Sequence, residues 1–330
     1  MAKTIDILAK DDNGDEAQTV ANIPTKRELF EKNNVSKALL EDDDALENLD
    51  IATFARDSWD KPNDGFAADL ENGTVDLKGM SKEEFLAAYK RVNQGVGGES
   101  IEGYKPDHFG KPLSSDEFNK IIAIGHEIYK KNRPDKNTVF QKVVCAEDIK
   151  SFVEGANSRA LKPGGRLGVG GSTLLAKDGK HMKTPADYYD GLQLNYKPDS
   201  GGKNPYYPVP KCIYVVRYTT DNPEKAKIPV HEIDEIPKDI KDDFVGKKTN
   251  TYPFTGNGFT PASDENRLGT PEVMVSDPPQ VIDKAVIVRI DEDGTETIVG
   301  YNTTVTNEAG EEFDQFVYVN EKGELIKPKI

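Results

Sequence analysis

Cysteine, histidine, methionine and tryptophan are all scarce in this 330-residue chain, with two, four, four and one copies. Two cysteines cannot make a disulfide scaffold of a chain this long. Cys145 and Cys212 both lie in apolar, strand-like runs and read as buried free thiols of a reducing compartment. The four histidines (His108, His126, His181, His231) lack ligand spacing. HExxH and CxxC are absent, which removes the zinc-protease and structural-zinc signatures. GxSxG is absent, and with it the nucleophile elbow of a serine hydrolase. GxxxxGK[ST] is absent too, and no GxGxxG follows a strand and opens a helix. The glycine-dense run 162–171, KPGGRLGVGG, therefore reads as a mobile loop with tight turns, or as backbone that comes close to a nucleotide. No apolar run approaches the length of a membrane span, and the first residues hold no signal-like apolar segment. The sequence thus predicts a chain made in the cytoplasm, with a leaderless route if it is exported.

What is abundant is negative charge. The net charge is −15, and only 36% of residues are apolar. Residues 1–75 hold 18 acidic and 8 basic side chains, so 10 of the 15 net negative charges fall there. Such a surface repels phosphate backbones and anionic lipid, which argues against nucleic acid or membrane as the main partner. A basic partner suits the acidic segment better. The 58 acidic residues include no pair that stands out as a glycosidase-like couple.

Along the chain, three organisational units are expected. Residues 1–78 form an acidic, partly disordered segment: 1–24 carry no predicted element, and a capping box at Thr25-x-x-Glu28 predicts a short helix over about 26–40. Residues 79–135 are helical. Ser81-x-x-Glu84 caps a helix with Phe85, Leu86, Tyr89 and Val92 on its apolar face, closed by Gly95. Ser114-x-x-Glu117 caps a longer helix ending near Asn132, with Gly125 marking close packing and His126 beside the stripe. Residues 136–330 read as an α+β domain dominated by antiparallel strands, with hairpin turns at Asp293-Gly294 and Lys322-Gly323. In 267–300, strand 273–275 and strand 285–290 are expected to be joined by a Pro-Pro turn. Glu272 sits at the mouth of that pair, either as a catalytic carboxylate or as surface decoration.

Other residues admit two readings. Ser172 and Thr173 open a strand, where hydroxyls orient a ligand or satisfy local backbone. In CIYVVRY (212–218), Arg217 shares a face with Ile213 and Val215, so it is either a solvent-facing side chain or an arginine of a cleft. Tyr252 and Phe254 either stack on a ring or pack in a loop. The order of these segments carries more than any one of them. A Ser-Thr strand start (Ser172, Thr173) precedes a helix (ADYYDGL, 186–192), then the strand CIYVVRY and a long loop. A Glu-bearing strand follows (PEVMV, 271–275), then a proline-containing turn with Gln280 and the strand KAVIVRI (284–290).

That order resembles the catalytic core of ADP-ribosyltransferase toxins of the cholera-toxin type. There a Ser-Thr-Ser strand, a helix, a YxYVI-like strand and a Glu strand with an IPxxQI turn build an NAD cleft. The run PFTGNGFT…RLGTPEV, followed by a DGTE hairpin, is similar to C-terminal domains of bacterial polymorphic toxins. The resemblance spans roughly residues 140–305. It implies an acidic helical N-terminal region followed by a mainly antiparallel, ADP-ribosyltransferase-like domain. It also implies a toxin or effector that uses NAD as substrate and meets a protein target, or an immunity or delivery partner. Glu272 would stabilise the oxocarbenium-like transition state as nicotinamide leaves. Ser172, Thr173, Arg217, Arg159, Tyr252 and Phe254 are the candidates for holding NAD. Thr270 stands two before Glu272 where side-chain-modifying members carry Glu or Gln, which leaves the acceptor open or points to NAD hydrolysis. The alternative class is a non-enzymatic structural or adaptor protein of a phage or secretion apparatus.

Overall fold

A computed structural model describes residues 4–10, 16–22, 34–43, 65–91, 113–160, 166–194, 209–247, 255–260, 262, 268–306, 309–320 and 322–327; of 4–10, 16–22 and 276–281 it describes the backbone alone. In chain order these residues form β1 (Thr4–Lys10), β2 (Glu16–Asn22), α1 (Lys37–Leu40), α2 (Phe66–Glu71), α3 (Lys82–Ala88) and α4 (Ser115–Lys131). Next come β3 (Phe140–Cys145), α5 (Ile149–Ala160), β4 (Gly168–Leu175), α6 (Pro185–Gly191), β5 (Cys212–Thr220), β6 (Ala226–Val230) and β7 (Phe244–Gly246). The chain continues through β8 (Phe259–Thr260), β9 (Thr270–Pro271), β10 (Val273–Asp291), β11 (Glu296–Thr306), β12 (Glu312–Val319) and β13 (Leu325–Ile326). Helices pack with a large sheet, an α+β architecture in which every ladder is antiparallel except that between β6 and β7. Among the described residues no helix is long and apolar enough to cross a membrane.

The helix starts follow local chemistry. Ser81 and Ser114 accept from the backbone N–H of Glu84 and Glu117, whose carboxylates reach back to the cap residues. Thr184 and Asp187 close the same reciprocal pair at α6, with Pro185 at its first position. Burial selects the expected stripe of α4: Phe118, Ile121, Ile122, Ile128 and Tyr129. Gly125 on that stripe faces the Phe259 ring, 3.2 Å from where a Cβ would stand. Phe259 also meets Phe66, Phe85 and Tyr89 at centroid distances of 5.9, 5.8 and 5.6 Å. The buried residues of α2, α3 and α4 and those of the large sheet thus belong to one continuous apolar cluster.

The structure corrects several expectations. No element was expected over 1–24, yet β1 and β2 pair from Thr4↔Asn22 to Lys10↔Glu16. The acidity of DDNGDE masks a hairpin signal, since Asn13-Gly14 lies between the two strands. The Pro-Pro turn is also absent. Residues 273–291 run as one strand, and between Val275↔Gly171 and Gln280↔Val169 the ladder shifts, four residues of β10 opposing one of β4. Pro278 and Pro279 fall inside this bulge, where the ladder asks for no N–H donor. The bulge lets β10 serve two partners. Its start pairs with β4 and β6, and its later part with β5 and β11. Since β3 pairs with both β4 and β5, strands β10, β4, β3 and β5 close a ring. The helix expected to close at Gly95 ends at Ala88 with Tyr89 as its cap, and the helix expected over about 26–40 is helical only from Lys37 among its described residues, because Asn34 has φ +50° and Val35 bridges to Ile298. Residues 26–33, Tyr252 and Phe254 lie outside the described residues.

Candidate functional site

Glu272 lies between β9 and β10 and is 7% exposed. Its backbone N–H donates to the Gly258 carbonyl at 3.0 Å. Thr260 Oγ1 donates to Glu272 Oε2 at 3.2 Å, and Lys247 Nζ stands 3.9 Å from Oε1. A tight turn supplies Thr260. Thr255 Oγ1 donates to Asn257 Oδ1 at 2.6 Å, and Asn257 Nδ2 donates to the Tyr89 carbonyl at 3.0 Å. Gly258 has φ +85°, and a Cβ there would fall 2.6 Å from Ile228 Cγ2, so only glycine fits. The turn then runs into the β8–β9 pair, Phe259↔Pro271 and Thr260↔Thr270, which delivers the hydroxyl to the carboxylate.

Lys247 arrives from the other side, just after β7. Its N–H donates to the Val230 carbonyl at 2.8 Å. The segment before it is moored to α4 and the residues that follow α4: the Asp243 carboxylate takes Arg133 Nη2 at 2.6 Å on each oxygen and His126 Nε2 at 2.9 Å. His126 therefore has a structural partner, in keeping with its place beside the stripe.

A third charged group comes from β3. Neighbouring residues of a strand point to opposite faces, which separates Gln141 from Lys142. Lys142 Nζ donates to the Ser172 carbonyl at 3.1 Å. The residue is half-buried. Burial pushes this ammonium below the usual lysine value, the Glu272 charge holds it up and Lys247 pushes it further down.

The expected residues separate into two sets. Ser172 and Thr173 do not open their strand: β4 begins at Gly168, so the end of the glycine run is itself strand and the pair sits inside it. The ladder places this strand beside the Glu strand, through Thr173↔Val273 and Ser172↔Met274. Thr173 is buried and donates to the Gln141 carbonyl at 2.7 Å, whereas Ser172 is exposed. Gln280 pairs with Val169 farther along the same two strands. Arg217 is not brought to Glu272. It pairs across the ladder with Gln141, on the face of β3 opposite Lys142. There it is 4% exposed, donates through Nε to Gln141 Oε1 at 2.9 Å and grips both Glu296 oxygens at 2.7 and 2.8 Å. Burial opposes the guanidinium charge, but the Glu296 bonds and charge together outweigh it and its pKa is raised. Tyr188 of α6 completes this network, accepting from Gln141 at 3.0 Å, and burial pushes its phenol up to about 12. Arg159, near the end of α5, is exposed. The sequence reading passed over Thr260, Lys142 and Lys247. Lys142 had a signal: in FQKVVC it shares a face with Phe140 and Val144, as Arg217 does with Ile213 and Val215.

Behind Glu272 lies a cavity of about 20 Å³, bordered by Tyr129, Asn132, Asp178, Gly258 and Val273. That volume admits about one water. Among the described residues no group of histidine, cysteine and carboxylate side chains is arranged to hold a metal ion. A screened carboxylate with a hydroxyl on one oxygen and an ammonium near the other can stabilise a positive charge that develops beside it. Comparison of the chain with protein-family models, curated proteins and solved structures finds no match.

Proposed function

We propose that the chain is a toxin or effector enzyme that consumes NAD, splitting the bond between nicotinamide and ribose and passing ADP-ribose to a protein acceptor or to water. The observation that carries this reading is the Glu272 carboxylate: nearly buried, fixed by Thr260, and one ladder step from the Ser172-Thr173 strand. As nicotinamide departs, positive charge grows on the ribose, and a fixed carboxylate in a desolvated setting lowers that barrier more than one in water. Ser172, exposed beside it, is available to a ligand. Thr173 acts through the backbone of β3, and Arg217 serves the opposite face of the sheet. The ADP-ribosyltransferase-like architecture belongs to the same proposal, supported by the adjacency of the Ser-Thr and Glu strands.

The test is nicotinamide release from NAD by the purified chain and by Glu272→Gln, with melting temperatures for both. Release by the parent and its loss by about 100-fold or more in the variant is the expected result, a typical cost for removing one preorganised electrostatic group. Equal release from both would sink the assignment. A second reading, a non-enzymatic structural or adaptor protein of a phage or secretion apparatus, draws on the small volume of the cavity beside Glu272. It is favoured if the parent neither releases nicotinamide nor binds NAD.

A further inference from the structure

Where α4 ends, the side chain of Asn132 meets that of Lys177, which lies in a short 3-10 turn (Ala176–Gly179) after β4. Lys177 is half-buried, and its Nζ donates to Asn132 Oδ1 at 2.5 Å. With a carbonyl bond of about 1.2 Å, that contact puts the lysine nitrogen roughly 3–3.5 Å from the amide carbon Cγ, the separation of a near-attack arrangement. The amide cannot be turned over, because its NH2 would then face an ammonium, donor against donor. In this orientation Asn132 Nδ2 is buried and has no hydrogen-bond partner among the described residues. A buried donor without an acceptor destabilises the fold, and that penalty vanishes if the nitrogen leaves.

Both partners stand on fixed backbone. The Asn132 N–H donates to the Ile128 and Tyr129 carbonyls, both at 3.1 Å. The Lys177 carbonyl lies against Gly65, where a Cβ would fall 2.0 Å from it, so only glycine lets the two segments approach. A carboxylate stands beside the pair. Asp69 accepts from Lys131, the residue before Asn132, at 2.8 Å and from Thr74 at 2.7 Å. Burial alone would raise the Asp69 carboxyl, but those bonds and the charges of Lys131 and Lys177 hold it below its ordinary value, so it is ionised and able to take a proton. Asn132 also borders the cavity of about 20 Å³ behind Glu272, which has room for one molecule the size of water or ammonia.

We propose that Lys177 and Asn132 form a self-modification site, at which an amide bond joins Nζ to Cγ and the side-chain nitrogen of Asn132 is released. Nζ gives a proton to Asp69 and, as a free amine, attacks Cγ. The new Nζ–Cγ bond is kept and the Cγ–Nδ2 bond breaks. Over the whole step Nζ loses two protons and Nδ2 gains two, leaving as ammonium, so atoms and charge balance with no further reactant. The link fastens the end of α4 to the turn after β4, 45 residues later in the chain, and does not depend on the NAD reading.

The experiment is an intact-mass measurement of the full chain, followed by proteolysis under denaturing conditions and peptide mapping. The expected mass is lower than that of the sequence by one ammonia, and the digest should hold one branched peptide carrying both Asn132 and Lys177. Lys177→Arg keeps the charge and a donor for Asn132, but a guanidinium stays protonated and is no nucleophile. This variant should therefore regain the ammonia and lose the branched peptide, and Asn132→Ala should do the same. Melting temperatures show whether each variant folds; if Asn132→Ala does not, Lys177→Arg carries the test. A parent at its full sequence mass, with Asn132 and Lys177 on separate peptides, overturns the proposal. So does an ammonia loss that persists in Lys177→Arg, which would assign it to an asparagine that cyclises on its own backbone.

Discussion

Arg217 and Thr260 show how differently single side chains are committed. Arg217 is locked among Gln141, Tyr188 and both oxygens of Glu296. Removing one partner of such a pair leaves the other uncompensated, which costs about 3 kcal/mol or more. Arg217→Met should therefore lower the urea midpoint markedly, and pairing it with Glu296→Leu should recover part of the loss because no unpaired charge remains. A double variant no more stable than Arg217→Met would contradict the network. Thr260 is a milder case. Its hydroxyl meets a carboxylate that is nearly buried, so Thr260→Val keeps the shape and deletes one bond. A stability cost of about 1 kcal/mol with a nicotinamide-release rate down by tenfold or more is expected on the NAD reading. A change in stability alone, with the rate untouched, would separate Thr260 from the chemistry.

Among the elements, α4 gives a pH prediction. Glu117 accepts from the Ser114 backbone and from Arg91, and together these hold its carboxyl down to about 2, with the Ser114 bond the larger cause. An unfolded glutamate titrates near 4.3. Because the folded value is the lower one, this stabilisation is full above the unfolded value and is lost as pH falls from about 5 to 2. Glu117→Gln should lower the melting temperature at pH 7 and cost about 1 kcal/mol, the typical scale of a cap. The gap between parent and variant should close as the pH approaches 2; a gap that persists there would mean the carboxylate charge is not what stabilises the cap.

The elements also show what a sequence can display. Capping boxes are local, four residues that satisfy one another, so Ser81, Ser114 and Thr184 mark their helices without help from the rest of the chain. The bulge in β10 is not local. Two prolines in a row look like a turn until strand β4, a hundred residues earlier, supplies ladder pairs on either side of them. The candidate site divides the same way. Glu272 and Ser172-Thr173 stand out because the order of strands suggests their adjacency. Thr260, Lys142 and Lys247 come from three other strands or strand ends; only the closing of the sheet brings Thr260 and Lys247 to the carboxylate and Lys142 to the neighbouring strand, where it bonds the Ser172 carbonyl. The face on which Arg217 sits was legible from alternation; that Glu296 waits on that face was not.

For the whole molecule, the aromatic knot around Phe259 is decisive. It joins α2, α3 and α4 to the segment that carries Thr260 and Glu272. Truncating a buried phenylalanine costs about 3–5 kcal/mol, so Phe259→Ala should lose that much and weaken the helices and the sheet together. Thermal melts followed at 222 nm for backbone and in the near ultraviolet for packing should coincide in the parent chain. Two separated transitions would mean that the helical residues 79–135 fold apart from the rest.

The ring of β10, β4, β3 and β5 has a consequence for how the protein is made. Its first three strands to leave the ribosome, β3, β4 and β5, end at Thr220, and the fourth ends at Asp291. Until then β4 and β5 each present an unsatisfied edge, and Glu272 has not yet come beside the Ser172-Thr173 strand. The nascent chain therefore carries its charged groups apart for most of its synthesis, and the site comes together in one late, long-range step. Such pairings are slow to form and expose strand edges while they wait. A holdase that covers β4 and β5 would keep those edges from aggregating while delaying their closure by β10, and it would thereby set the moment at which the assembled site first exists inside the cell that produces it.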